Sequence, residues 1–157
     1  MVHATGLLHR AIHVLVFDPQ GRVFLQKRSG LKDLHSHTWD SSCSGHVDSG
    51  EDYDTAAVRE LGEEIGLEGT APRRFLRLQA CAATGREFVW VYRLESAGPL
   101  RLNPDEIEDG AWLEPAEVSA RIRSHPREFA PSFVHLWPMA AAAGCGEGEA
   151  EGPGEGG

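Results

Sequence analysis

The order of apolar and polar positions marks out the elements of this chain before its composition is weighed. Residues 9–17 include His-Val-Leu-Val-Phe and read as a buried strand. Asp18-Pro19-Gln20-Gly21 supplies turn residues, and residues 22–28 alternate well enough to be the returning strand. The polar stretch 29–37 reads as a loop, and 39–43 as a short strand leading into the glycine-containing stretch 45–50. At 52–65 the period changes: Ala57, Leu61 and Ile65 recur every four residues and give a helix its apolar stripe. Gly66 follows as its C-terminal cap. Gly62, inside that helix, costs roughly 1 kcal/mol relative to alanine, which predicts a packing reason for it. Residues 73–81, 87–94 and 108–113 read as three more strands, and 116–122 and 131–139 as helices. Strands on both sides of a central helix, with more helix at the end, predict a mixed α/β (α+β) domain over residues 1–139. Residues 140–157 hold Ala, Gly and Glu with one Pro, one Cys and no aromatic, too little apolar surface to order itself, and are expected to be a disordered tail.

Composition narrows the picture. With 157 residues, 41% hydrophobic and 25% charged, the chain suits one globular domain. No apolar run is long enough to span a membrane, and residues 1–10 lack the pattern of a secretory leader. Cys43, Cys81 and Cys145 are odd in number and scattered, against a disulfide framework, so the cytoplasm is the expected location. The net charge is −9, and four of the negatives, Glu147, Glu149, Glu151 and Glu155, crowd the last eleven residues. This balance disfavours binding to a nucleic-acid polymer. A small anionic substrate stays compatible with it, because a bound cation reverses the local field.

The candidate chemistry lies in the central helix. Glu60, Glu63 and Glu64 stand at i, i+3 and i+4 and so share a face, near the helix C-terminus where the macrodipole disfavours anions. A solvated acidic face is one reading of such a cluster. A cation held among the carboxylates is the other, and hard oxygen ligands suit magnesium or manganese. The wider pattern runs Gly45, five residues, Glu51, seven residues, Arg59-Glu60, an aliphatic residue, any residue, Glu63-Glu64, any residue, Gly66, an aliphatic residue. At every specified position it resembles the signature of the Nudix family. The resemblance implies a mixed sheet sandwiched between helices, with a loop–helix–loop that grips a metal and a diphosphate. It implies Glu60, Glu63, Glu64 and the Gly45 carbonyl as ligands of Mg²⁺ or Mn²⁺, and Glu51 and Arg59 as a pair holding loop and helix in register. Glu64 is then the first choice for the base that activates water, with Glu63 beside it. The implied activity is hydrolysis of a diphosphate linkage in a nucleotide or related small molecule, by a monomer or homodimer.

Beyond the box, His9-Arg10-Ala11, the 25–29 strand end, the run from Trp39 to His46, and Asp105-Glu106-Ile107 to Trp112 resemble the isopentenyl-diphosphate isomerase branch of the same superfamily. That branch holds both isomerases and hydrolases. The isomerases carry a catalytic cysteine where this chain has Ser44, and a serine hydroxyl is a poor substitute for a thiol in proton transfer at an allylic carbon. With the box intact, a hydrolase is expected, isomerase activity and a non-catalytic binding module being the alternatives. His3, His9, His46 and Glu87 match positions that bind a separate metal in the isomerases; scattered histidines are more often structural. Glu87, Glu106 and Glu108 are rival candidates for an acidic residue recruited from outside the box. Cys43 reads as buried and inert. Lys27, Arg28 and Lys32 are placed to reach a distal phosphate or simply to be solvated. One of Trp39, Trp90, Trp112 and Trp137, or Phe88 or Tyr92, is available to stack on a base.

Overall fold

The computed structural model describes residues 9–31, 35–79, 81, 84 and 87–143, with only the backbone of His9 and Glu87. Its seven strands are β1 (His9–Phe17), β2 (Val23–Arg28), β3 (Trp39–Asp40), β4 (Cys43–His46), β5 (Arg73–Leu78), β6 (Glu87–Glu95) and β7 (Ile107–Leu113). Three helices, α1 (Tyr53–Ile65), α2 (Pro115–Ser124) and α3 (Pro131–Ala142), complete the element list with a 3₁₀ turn at Pro126–Glu128. All the strands join one mixed sheet. β1 lies parallel to β6 over its whole length, which requires the long connection that α1 and β5 supply.

The site depends on a fork in this sheet. β1 and β2 pair only at Val16↔Phe24 and Phe17↔Val23, next to the turn where the Asp18 carboxylate accepts from the N–H groups of Gln20 and Arg22. Past that point they diverge, and residues 39–46 fill the wedge. β3 pairs with Gln26 and Lys27 of β2, while β4 pairs with residues 11–14 of β1. Between β3 and β4 sit Ser41 and Ser42, both fully buried. Ser42 Oγ accepts from the Val16 N–H and donates to the Phe24 carbonyl, replacing the ladder bonds that the fork breaks.

Helices cover both faces. α1 packs over Ile12, Val14, Val16, Phe24 and Cys43 through Ala57, Leu61 and Ile65, so the predicted stripe is the buried one. α2 and α3 pack on the other face, where Val118, Phe133, Leu136 and Trp137 meet Leu15, Leu25 and Val91. Asp52 caps α1 by accepting from the Thr55 N–H at 2.7 Å. Gly66 closes it in the left-handed region at φ 77°. A methyl on Gly62 would meet only the end of the exposed Glu68 side chain, at 3.1 Å, which has freedom to move aside, so the expected packing reason is not found among the described residues.

Most boundaries fall within two residues of expectation, and three differences are larger. The strand expected through residue 81 stops at Leu78, because Cys81 enters a turn in which its N–H donates to Thr84 Oγ1. The stretch expected as one strand from 39 to 43 is two, β3 and β4, split where the chain crosses from β2 to β1. α3 runs three residues past the boundary drawn at residue 139, since Ala140 is fully buried and alanine is the best helix former. Residues from 144 onward, on which the rest of the tail expectation falls, lie outside the described residues.

Candidate active site

α1 brings the box residues against the end of β4. Arg59 organises the loop before it. Its Nε and Nη2 donate to the two oxygens of Glu51 at 2.8 and 2.9 Å, a bidentate pair. Nη2 also reaches the His46 carbonyl at 3.1 Å, and Nη1 donates to Glu60 and Glu63 at 3.1 and 3.3 Å. One guanidinium therefore ties the strand end, the loop and the helix together. Glu51 accepts in addition from the Asp48 N–H at 2.9 Å. The Arg59 hydrogen bonds and that backbone N–H hold the Glu51 carboxyl down at about 2.

This lowered value makes a prediction. The Glu51 contribution to stability is fully present above about 4.5, its ordinary value, fades as the pH falls, and is gone below about 2. Glu51→Gln is expected to cost about 2 kcal/mol near neutral pH, as loss of charged hydrogen bonds does. The gap from the parent protein should close between pH 4.5 and 2 in denaturation midpoints measured along that range. A gap independent of pH would show that the ion pair is not what Glu51 contributes.

Glu60 and Glu64, one turn apart on α1, are brought side by side, with Glu60 against Gly45. A Cβ on Gly45 would stand 2.3 Å from Glu60 Oε2, so only glycine leaves room for that carboxylate. Glu64 is buried; Gln26 donates to its Oε1 at 3.0 Å and the Ser44 N–H at 3.3 Å. Burial, then the adjoining Glu60, hold the Glu64 carboxyl well above the usual range, and burial raises Glu60 as well. Glu63 is different: its side chain is 57% exposed, and it joins the other two only through Arg59. Among the described residues no three acidic, His or Cys side chains are gathered closely enough to enclose a metal ion.

The remaining candidates scatter. Register sets His9 opposite Glu87 and Ala11 opposite His46, so the backbone brings those three positions near one end of β1; His3 lies outside the described residues. Glu108 is engaged by His37 at 2.8 Å and Lys27 at 3.8 Å, with its carboxyl lowered by His37, and no described bond links it to the box. The Glu106 carbonyl accepts from the Ser29 N–H. Arg28 lies 3.7 Å from the buried Asp40, and Lys32 is outside the described residues. Trp137 is core, Trp112 meets Phe24 edge-on, Trp39 lies under Lys27, and the Tyr92 hydroxyl donates to Asp54. Phe88 and Trp90, with Tyr53 and Arg77, line an open pocket of about 140 Å³ at the N-terminal end of α1. Two residues that motif reading passed over belong to the site. Asp48 forms an ion pair with Arg59 at 3.5 Å, and Gln26 donates its side-chain amide to Glu64. The second had a visible signal: Phe24, Gln26 and Arg28 share the α1-facing phase of β2, so an amide stands there on an apolar face.

A mixed sheet between helices, carrying a loop and helix with paired carboxylates, defines the class as a Nudix fold. The NUDIX domain family model matches residues 7–133. The chain is 36% identical over 143 residues to an isopentenyl-diphosphate Delta-isomerase of Nocardia farcinica, covering 88% of this chain and 82% of that one. It is 35% identical to an uncharacterized Nudix hydrolase of Yersinia pestis, covering 87% and 74%. Among solved structures, a protein from Deinococcus radiodurans matches with a TM-score of 0.76 at 29% identity, covering 83% and 82%. The chain belongs to the Nudix family.

Proposed function

We propose that this protein is a divalent-metal-dependent pyrophosphohydrolase that cleaves a diphosphate linkage in a nucleotide or related small molecule. The observation that carries the reading is the Glu60–Glu64 pair, a half-buried and a buried carboxylate side by side, next to a glycine that clears space for Glu60. Such a pair keeps a proton between its members or takes a cation in its place. The donor set fits a hard cation: Glu60, Glu64 and the Gly45 carbonyl would hold Mg²⁺ or Mn²⁺, with the exposed Glu63 turning in from Arg59. When bound, the cation neutralises the diphosphate and lowers the pKa of water near it. Arg59 keeps loop and helix in register and adds a positive charge beside the carboxylates. Glu64, ionised when a cation takes the place of its proton, would accept the proton of the attacking water. The site is expected to work in the cytoplasm on small molecules; no described helix is long and apolar enough to cross a membrane.

The isomerase reading has one observation in its favour, the 36% identity to a protein of that name. Two features of the site oppose it. By the resemblance Ser44 stands at the position of the isomerase cysteine, and Cys43, one residue earlier, is fully buried. Burial first, then Glu64 and Glu60, push the Cys43 thiol well above its ordinary value, so it offers neither a thiolate nor access. The test is to incubate the protein and Mg²⁺ with nucleoside diphosphates, nucleoside diphosphate sugars, dinucleoside polyphosphates and isopentenyl diphosphate. Phosphate or nucleotide release is expected from at least one of them, with no migration of the isopentenyl double bond by proton NMR. Double-bond migration without release would replace the hydrolase reading with the isomerase one.

A further inference from the structure

Gln26 sits at the inner end of the fork between β1 and β2, 3% exposed, on a different element from every box residue. Its Nε2 donates to the Ser42 carbonyl at 3.2 Å and to Glu64 Oε1 at 3.0 Å. Both partners are acceptors, so the amide has one usable orientation: its nitrogen must face them. The two hydrogens of that nitrogen are thereby both committed. The Ser42 end is fixed in turn, because Ser42 Oγ bonds Val16 and Phe24 on the two diverging strands. The other donor to Glu64, the Ser44 N–H, lands on the same Oε1. A cation drawing on Glu64 thus has Oε2 at its disposal without breaking either bond.

We propose that Gln26 is the positioning residue for Glu64, anchoring one carboxylate oxygen to the sheet fork so that the other is preset for a cation. The inference rests on the metal-dependent reading of the box and adds the residue that orients its most buried ligand. Residues that orient metal ligands through hydrogen bonds commonly change affinity by 10- to 100-fold when removed. Gln26→Met keeps the length and bulk of the side chain and removes both donors. Val118→Ala is the structural control: it opens a cavity in the core on the other face of the sheet, away from the box and from Gln26.

The experiment measures Mn²⁺ dissociation constants on the full chain by electron paramagnetic resonance of the free ion, with thermal midpoints for each variant. Gln26→Met is expected to weaken Mn²⁺ binding about 10-fold or more. Val118→Ala should lower the midpoint with Mn²⁺ affinity held within about twofold. Equal affinity in Gln26→Met and the parent, or losses that follow the midpoint in both variants, would overturn the role. Should Gln26→Met not fold, the parent protein decides by NMR. Its Gln26 side-chain amide should shift on Mg²⁺ addition, and an amide indifferent to saturating Mg²⁺ contradicts the proposal. A parent protein that binds no divalent ion defeats the metal reading itself, a different outcome from binding that ignores Gln26.

Discussion

Glu64→Gln is expected to lower diphosphate hydrolysis about a thousandfold while the fold survives, with thermal stability in chelator equal to that of the parent or higher. The size of the loss follows from removing a metal-ligating oxygen and the proton acceptor together, general-base catalysis alone being worth about 10²- to 10⁴-fold. The stability half follows from the surroundings. Glu64 is buried against Glu60, an arrangement that costs free energy whenever both are ionised. A glutamine of the same shape can still accept from Gln26 and Ser44 through its oxygen, and its nitrogen donates to Glu60. Steady-state rates and melting in chelator check both halves. A variant that loses stability in step with activity would make Glu64 structural rather than catalytic.

The second large effect is expected at Gly45. Its φ is not positive, so alanine suits the backbone there and the objection is one of space. The new methyl would stand 2.3 Å from Glu60 Oε2, which Arg59 and burial hold in place. The end of a side chain yields more readily than a strand, so Glu60 moves and the structure loses only about 1 kcal/mol. The site suffers more, because displacement of a reacting group by about 1 Å commonly costs about 100-fold. Gly45→Ala should therefore melt near the parent and turn over about 100-fold more slowly. Unchanged turnover would show that the position of Glu60 beside β4 is immaterial.

The contrast between these residues explains what the sequence disclosed and what it did not. Glu60, Glu63 and Glu64 lie on one helix, where spacing fixes which side chains share a face; that the face belongs to a box was read from the resemblance of the wider pattern. Gly45 was readable as part of the pattern, but its reason, the close approach of Glu60 across two elements, is a distance only the folded chain has. Gln26 is 38 residues from Glu64 and meets it because β1 and β2 diverge. No local spacing encodes that divergence. Ser41 and Ser42 read as the middle of one strand, 39–43; in the fork they lie buried between two strands, and the Ser42 hydroxyl substitutes for missing ladder bonds. Most strands and helices were legible because apolar runs and turn residues are strong local signals, while the sheet between helices was implied by the resemblance. Strand ends at Leu78 and Asp40 were not, being set by a turn hydrogen bond and by a change of partner strand.

The most direct test of the central claim is product release from the diphosphate panel by the parent protein, in chelator and then across a Mg²⁺ or Mn²⁺ titration. The account predicts no turnover in chelator, saturable restoration by the ion, and cleavage confined to a phosphorus–oxygen bond of the diphosphate. Turnover that persists undiminished in chelator, or a cation that binds without any substrate being cleaved, would contradict it.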